Sequence, residues 1–475
     1  MRYILRSLAW HSCTGFLNGT EEMNALENFK DRRVCVLGLG YVGLTLAVAM
    51  ADVGFEVVGV EIRDNVRDLL LQGKAHFYEP GLVERLQRVI RSGNFTCTKT
   101  IPTGWSGSVY IVTVGTPLDA SGRSRLDMVE NVSAEVSQHL RDGDLVIMRS
   151  TVKLGTTRKS VMPKLAATGK TFDLAFCPER TLEGKALVEL RQLPQIVGGM
   201  TIAAAVRASQ LFQFITPTVV RVSDIETAEM IKLIDNAQRD VAFAYANEVA
   251  RACDAIGVSA MEVIQAGKLG YPRTNLPMPG PVGGPCLEKD PHILAEGLSE
   301  LGVELEITKA ARLINERQPA ETVEYLRRTA QQAVGFSVKP VITLMGIAFK
   351  GQPATDDLRG TMAKPVLDAL RKAFPQATFR GFDSVVAHGD IAAFGLAPAA
   401  TLEDAFSGAS LVLILNNHPV FSAMPVPDLA QHMAQPGLVY DYWNCFKATD
   451  LHMPQGVAYV ALGSHGRTQP LLGFT

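Results

Sequence analysis

No stretch of this chain strings together the roughly 18 apolar residues that a membrane-spanning helix needs. Its first thirty residues also lack a sustained hydrophobic run and a small-residue cleavage site. Arg2 and Arg6 flank only a short apolar patch, Leu8 to Trp10, so the reading is of neither a membrane protein nor a secreted one. Cysteines at metal-ligand or redox spacing are missing too. The seven present, at 13, 35, 97, 177, 253, 286 and 445, are odd in number and scattered without a CxxC, which speaks against a disulfide framework or a metal site and for a reducing cytoplasm. In such a compartment Asn18-Gly-Thr and Asn131-Val-Ser are chance matches to the glycosylation pattern. Nor is one sign of charge dominant. With 46 Lys and Arg against 48 Asp and Glu, a net charge of −2, no basic block and no aromatic-basic interleaving, the expected partner is neither nucleic acid nor an anionic membrane. A small molecule is expected instead.

What is present is a globular chain of 475 residues, 47% apolar and 20% charged, long enough for two or three domains. Periodic patterning begins only near Arg32, so residues 1–30 read as a loose extension, and Met23 is an alternative start. From Val34 a short apolar strand runs into Gly38-Leu39-Gly40-Tyr41-Val42-Gly43 and then into a helical pattern. This is GxGxxG between strand and helix. A second strand, 56–61, ends in Glu61 about 20 residues beyond the glycines, where a carboxylate accepts from an adenosine ribose. Gly38 makes the turn, Gly40 admits the pyrophosphate to the helix N-terminus and Gly43 permits close packing, with Tyr41 and Val42 part of the same cofactor turn. Glu61 repels a 2′-phosphate and so favours NAD, while Arg63 keeps NADP open.

Further strand patterns at 109–114, 145–148 and 172–176 alternate with helical ones at 80–92 and 129–140, which implies a parallel sheet. Ligands bind at the carboxyl edge of such sheets. Thr116, Thr151 and Glu179 close three of these strands, and although each alone is ordinary turn chemistry, together they suggest a site. A long helical pattern over 224–255 puts Lys232 and Asn236 four apart on one face; a solvated polar face is the plain alternative. Beyond it lies Gly283-Gly284-Pro285-Cys286-Leu287-Glu288-Lys289-Asp290. The glycines let backbone approach a ligand, and Lys289 and Asp290 stand within a turn of the sulfur, surroundings suited to a thiolate nucleophile, although most lone cysteines are structural. From Pro340 a second, smaller α/β pattern begins, with strands at 340–346, 378–382, 410–415 and 438–442 and no second GxGxxG. Phe349, Lys350 and Arg359 lie at the end of its first strand, where a nucleotide could dock or an ordinary charged loop could stand.

Seven motifs in order, GLGYVG (38–43), TP (116–117), STV (150–152), PER (178–180), KLIDN (232–236), GGPCLEKD (283–290) and FKGQPATDDLR (349–359), make the chain after Arg32 resemble the UDP-glucose/GDP-mannose dehydrogenase family of nucleotide-sugar 6-dehydrogenases. The resemblance implies two Rossmann-like doubly wound domains joined by a long central helix. Residues 31–222 would bind NAD, 223–333 would form the dimerising centre with the cysteine loop, and 334–475 would bind the nucleotide sugar. A homodimer or dimer of dimers in the cytoplasm follows, supplying polysaccharide precursors. By the same resemblance Cys286 is the nucleophile, Lys232, Asn236 and Asp290 support it, and Thr151 and Glu179 handle water and protons. Lys232 would stabilise oxyanions, Asn236 would donate to them, and Asp290 would orient Lys232 or a water.

Substrate contacts are expected from Glu179, Arg180, Lys232, Asn236, Arg273, Asn275, Gly283, Phe349, Lys350 and Arg359, with Arg273 a candidate to reach a partner's site. Arg180 and the stretch Tyr271 to Asn275 are similar to the branch that oxidises UDP-N-acetylhexosamines such as UDP-N-acetylmannosamine. The loop Thr181-Leu182-Glu183-Gly184 is closer to the UDP-glucose type, and GDP-mannose is a further alternative. The family's carboxyl motif DxRN reads Asp441-Tyr442-Trp443-Asn444 here. Two other classes compete. A β-hydroxyacid dehydrogenase would share the first domain and a Lys/Asn pair but needs neither Cys286 nor the second domain, and a non-catalytic sensor would not need the cysteine with its charged neighbours.

Overall fold

The structure, a computed structural model, describes Leu26 and residues 28–465; Arg2, Arg6, the patch at 8–10, Cys13, Asn18 and Met23 lie outside them. The described end of the expected loose extension is packed, not free. Leu26 is 4% exposed, and Phe29 meets the rings of Phe55 and Phe214 at 6.3 and 5.1 Å.

The first sheet has eight strands in the order Phe95–Thr98, Glu56–Val60, Arg33–Leu37, Val109–Val112, Asp144–Met148, Phe172–Phe176, Gln195–Gly199 and Val219–Val222. Central strands such as VYIV and DLVIM are buried at every position, as parallel strands covered by helices on both faces must be. Among the described strands of this sheet only the join between Phe172–Phe176 and Gln195–Gly199 is antiparallel. Strand order reverses between Arg33–Leu37 and Val109–Val112, which opens a crevice at their carboxyl ends, and the glycine-rich turn sits there. A second, six-stranded sheet is parallel throughout, in the order Ala397–Pro398, Thr378–Phe382, Val341–Met345, Leu411–Ile414, Gly437–Asp441 and Val457–Ala461.

Between the sheets runs the helix Ile225–Ile256, 32 residues or roughly 48 Å long. Asp224 caps its start by accepting from the Thr227 N–H at 2.7 Å, and Gly257, at φ 74°, ends it in the left-handed conformation that costs glycine nothing. Helices Asp290–Ser299 and Glu306–Gln332 pack along it, so the bridge and the segment after the cysteine form one helical body. No helix among the described residues is long and apolar enough to cross a membrane.

Candidate active site

The cysteine loop is held from three directions. Asn247 on the bridge helix grips Gly280, donating to its carbonyl and accepting from its N–H, both at 3.0 Å. Arg312, buried on the helix Glu306–Gln332, donates to the Leu287 carbonyl at 2.6 Å and to Asp240 of the bridge helix at 2.8 Å. On the third side the loop docks on the carboxyl domain, with the Gly284 N–H on the Gly360 carbonyl at 2.7 Å. Glycine is required at that dock. A Cβ on Gly283 would lie 2.2 Å from the Gly360 oxygen, and one on Gly284, at φ 93°, would lie 2.4 Å from the Phe349 ring.

These supports set Cys286 on the wall of a cavity of about 650 Å³ enclosed by the amino domain, the bridge helix and the carboxyl domain. Seven of the residues read from the sequence line it: Arg180, Lys232, Asn236, Gly283, Cys286, Phe349 and Lys350. Lys232 is 9% exposed, and its side chain makes no hydrogen bond or ion pair among the described residues, so a cation faces the cavity uncommitted. Its charge acts on both Glu179 and Cys286. Lys350 donates to the Glu183 carbonyl at 2.6 Å, and burial, more than any neighbour, lowers its ammonium to about 8. The Arg180 guanidinium reaches the Pro194 carbonyl at 2.7 Å and lies 3.6 Å from Asp235.

Two expectations need correction, and several other predicted residues do not line the cavity. The flanking charges do not make Cys286 a resting thiolate: burial raises its pKa, Asp290 adds to that, and Lys232 and Lys289 only partly offset it. Asp290 does not orient Lys232. It accepts from Asn236 Nδ2 at 2.6 Å and from Lys289 Nζ at 2.7 Å. Thr151 and Glu179 are not among the residues that line the cavity. Glu179 accepts from the N–H groups of Arg180 and Thr181 at 2.7 and 2.8 Å and from Arg149 Nη2 at 2.5 Å. Burial alone would raise its pKa, but Arg149, those N–H groups and Lys232 outweigh it and hold the carboxyl below its ordinary value. Arg273 and Asn275 are exposed and away from this chain's cavity, Arg273 lying over the Tyr271 ring at 4.5 Å. Arg359 is likewise outside the lining, its guanidinium taken by Asp357 and Glu183.

Sequence reasoning missed four residues. Arg149 follows a wholly buried strand, and a guanidinium there, 2% exposed, signals a buried ion pair. Glu183 lines the cavity, and burial together with the nearby Asp357 carboxylate raises it to about 8. Asp357 reaches it only through the tertiary fold. Trp443 stands in the cavity wall with its indole N–H donated to the Leu415 carbonyl at 2.8 Å.

At the glycine-rich turn, Gly38 has φ 91°, and a Cβ on Gly43 would lie 1.8 Å from the Gly38 oxygen. Above Gly40 a Cβ would meet nothing within 4 Å, and the helix Tyr41–Asp52 starts without a side-chain cap, so the open space and the helix N-terminus suit a pyrophosphate. The Tyr41 hydroxyl is turned elsewhere, to Glu79 and the Gly184 N–H. Glu61 directly follows the strand Glu56–Val60 and is 5% exposed, paired with Arg63 through both oxygens at 2.9 and 3.0 Å. Thr116 Oγ1 donates to the Thr151 carbonyl at 2.5 Å and ties two strand ends together. The residues present fit a dinucleotide.

Three consecutive segments match the models of the UDP-glucose/GDP-mannose dehydrogenase family: its NAD binding domain over 32–216, its central domain over 226–317 and its UDP binding domain over 343–448. A UDP-N-acetyl-D-mannosamine dehydrogenase of Methanococcus maripaludis is 31% identical over 407 residues, 85% of this chain and 90% of that one. One from Pyrococcus horikoshii is 32% identical over 411 residues, 84% of this chain and 93% of that one. The structure of a UDP-D-ManNAc dehydrogenase from Pyrococcus horikoshii superposes with a TM-score of 0.82 at 31% identity, covering 91% of this chain and 100% of that one. A UDP-glucose dehydrogenase from Pyrobaculum islandicum gives 0.80 at 26%, covering 90% and 96%. With family segments from one sheet to the other and relatives above 30% identity across most of its length, this chain belongs to the UDP-glucose/GDP-mannose dehydrogenase family, as an NAD-dependent nucleotide-sugar dehydrogenase.

Proposed function

We propose that this enzyme oxidises the C6 primary alcohol of a UDP-N-acetylhexosamine, UDP-N-acetylmannosamine first among them, to the uronate through an adduct on Cys286. The observation that carries the reaction is a cysteine opening onto a cavity beside an uncommitted lysine. For the substrate, support comes from the names of the relatives and from Arg180 on the cavity wall. NAD, when bound, accepts one hydride in each of the two oxidations.

The protein's own groups do the rest. Cys286 adds to the aldehyde carbonyl, its thiol proton passing to the carbonyl oxygen, so the aldehyde stays attached until the second oxidation leaves a thioester. Lys232 faces the oxygen that gains charge at each addition, and Asn236, aligned by Asp290, offers its second amide N–H to the same atom. Hydrolysis then needs a proton carrier, and Glu183 is the carboxyl on the cavity that is protonated near neutrality. It gives its proton to the sulfur as the thioester breaks and recovers one from the attacking water, which restores both thiol and acid. Glu179, ionised and bound to Arg149, fixes the strand end and acts on Lys232 through its charge alone.

The same reading makes the bridge helix a dimer surface, lets Arg273 approach a partner's site, and places the reaction in the cytoplasm, upstream of polysaccharide assembly. An absorbance assay of NADH formation with a panel of UDP and GDP sugars tests the substrate. UDP-N-acetylmannosamine should give the highest kcat/KM. A higher value for UDP-glucose than for every N-acetylated sugar would overturn the assignment.

A further inference from the structure

Glu183 belongs to a loop of the amino domain that is gripped by both domains. From the amino side, Glu79 and the Tyr41 hydroxyl accept from the Gly184 N–H at 2.6 and 2.7 Å. From the carboxyl domain, Lys350 holds the Glu183 carbonyl, and a Cβ on Gly184 would lie 2.7 Å from the Ala354 oxygen. The carboxyl domain also sends Asp356 to the Tyr78 N–H at 3.0 Å. Within this clasp the Glu183 and Asp357 side chains, 13% and 11% exposed, converge on a single nitrogen, Arg359 Nη2, at 3.3 and 2.6 Å. Asp357 also takes the Arg359 Nε, at 3.0 Å, leaving Glu183 the weaker contact. Glu183 Oε2 is buried with no N–H or O–H donor.

A buried carboxylate oxygen without a donor, beside a second carboxylate, is costly unless a proton lies between them. We propose that Asp357 is a positioning residue for Glu183: its carboxylate, fixed by Arg359 and brought against Glu183 by the meeting of the two domains, keeps a proton on the Glu183 carboxyl at the cavity wall. The other charged and titratable groups around Glu183 are Arg359 and Lys350 from the carboxyl domain, Cys286 from the cysteine loop, and Tyr41 and Glu79 from the amino domain. Lys350 and Arg359 favour its ionised form, while burial and Asp357 favour its acid form and prevail. The inference rests on the proposed role of Glu183 as proton carrier.

Infrared difference spectra of the whole protein, wild type against Glu183→Gln, test it without turnover, alongside pH profiles of kcat. At about pH 7 the wild type should show a protonated-carboxyl band that Glu183→Gln lacks. In Asp357→Asn that band should disappear about 1 pH unit or more lower, the alkaline limb of kcat moving with it, and Asp357→Glu should restore both. Should Asp357→Asn fail to fold, Asp357→Ser carries the same expectation. If Glu183→Gln kept a normal rate and profile, the proton-carrier role and this inference would both fall. If Glu183→Gln lost the limb while Asp357→Asn left band and limb in place, the Asp357 inference alone would be wrong.

Discussion

Asn236 Nδ2 donates to Asp290 Oδ2 across 2.6 Å, and Asp290 is fully buried. One residue comes from the bridge helix and the other from the first turn of the helix after the cysteine, so the bond fixes the amide relative to the sulfur. Asn236→Ala should lower kcat roughly 100-fold with KM changed only a few-fold, because the lost N–H acts mainly on the charge that develops during reaction. Asp290→Ala should act in the same direction by freeing the amide. Steady-state kinetics showing kcat within two-fold of wild type for Asn236→Ala would remove it from the oxyanion site.

Cofactor choice should turn on Glu61. Arg63 is tied to both carboxylate oxygens, so Glu61→Ala removes the group that repels a 2′-phosphate and releases a guanidinium that attracts one. The ratio of kcat/KM for NAD to that for NADP should fall, and an unchanged ratio would show that selection lies elsewhere.

The amino end of the first domain is fastened by a buried ion pair. Arg207 donates to both oxygens of Asp31 at 2.7 Å, with Asp31 0% and Arg207 6% exposed. Burial pushes Asp31 up, but Arg207 and Ser108 outweigh it and leave its pKa lowered. A lowered folded-state value means that the stabilisation is present above the unfolded carboxyl value of about 3.9 and is lost as pH falls through the folded one. Asp31→Ala leaves Arg207 with Asp173 and the Gly143 carbonyl as partners, and the lost charged hydrogen bonds should cost about 1.5–3 kcal/mol near neutrality by denaturant unfolding. Its acid destabilisation below about pH 4 should be shallower than wild type, and equal stability near neutrality would refute the pairing's importance.

A homodimer on the central helices should appear in light scattering at micromolar concentration. Tyr245, Ile256 and Leu313 on these helices are 59%, 73% and 64% exposed, apolar area that a second copy would cover. A monomer under those conditions would count against the dimer and against any reach of Arg273 into a partner's site.

How much of this was legible depended on whether the signal was local. The glycine-rich turn, the acid at the end of the second strand and the cysteine loop carry their chemistry in contiguous residues, and the structure assembles the loop and the Lys232/Asn236 pair around one cavity. The strand Phe95–Thr98 alternates buried and part-exposed positions over only four residues, and Val219–Val222 has no buried position, so neither gives a strong apolar run. Gln195–Gly199 is fully buried but ends in two glycines that read as a turn. Arg149, Glu183 and Asp357 escaped because their meaning is pairwise. Glu179 and Asp357 lie far from their partners in sequence, and only the fold brings a guanidinium to one carboxylate, lowering its pKa, and burial with a neighbouring carboxylate to another, raising its pKa. For the same reason the charges beside Cys286 misled: Lys289 does act on the sulfur, but it is paired in space with Asp290, and burial outweighs both lysines.

Covalent attachment of the sugar at Cys286 is the claim on which the rest turns, and mass spectrometry of the cysteine-bearing peptide from a reaction quenched during turnover tests it most directly. The account predicts a peptide heavier by the oxidised sugar nucleotide and modified at Cys286, present only when both NAD and UDP-sugar were supplied. An unmodified Cys286 peptide throughout a reaction that still forms uronate, at the same rate in Cys286→Ala as in the unmutated protein, would contradict it.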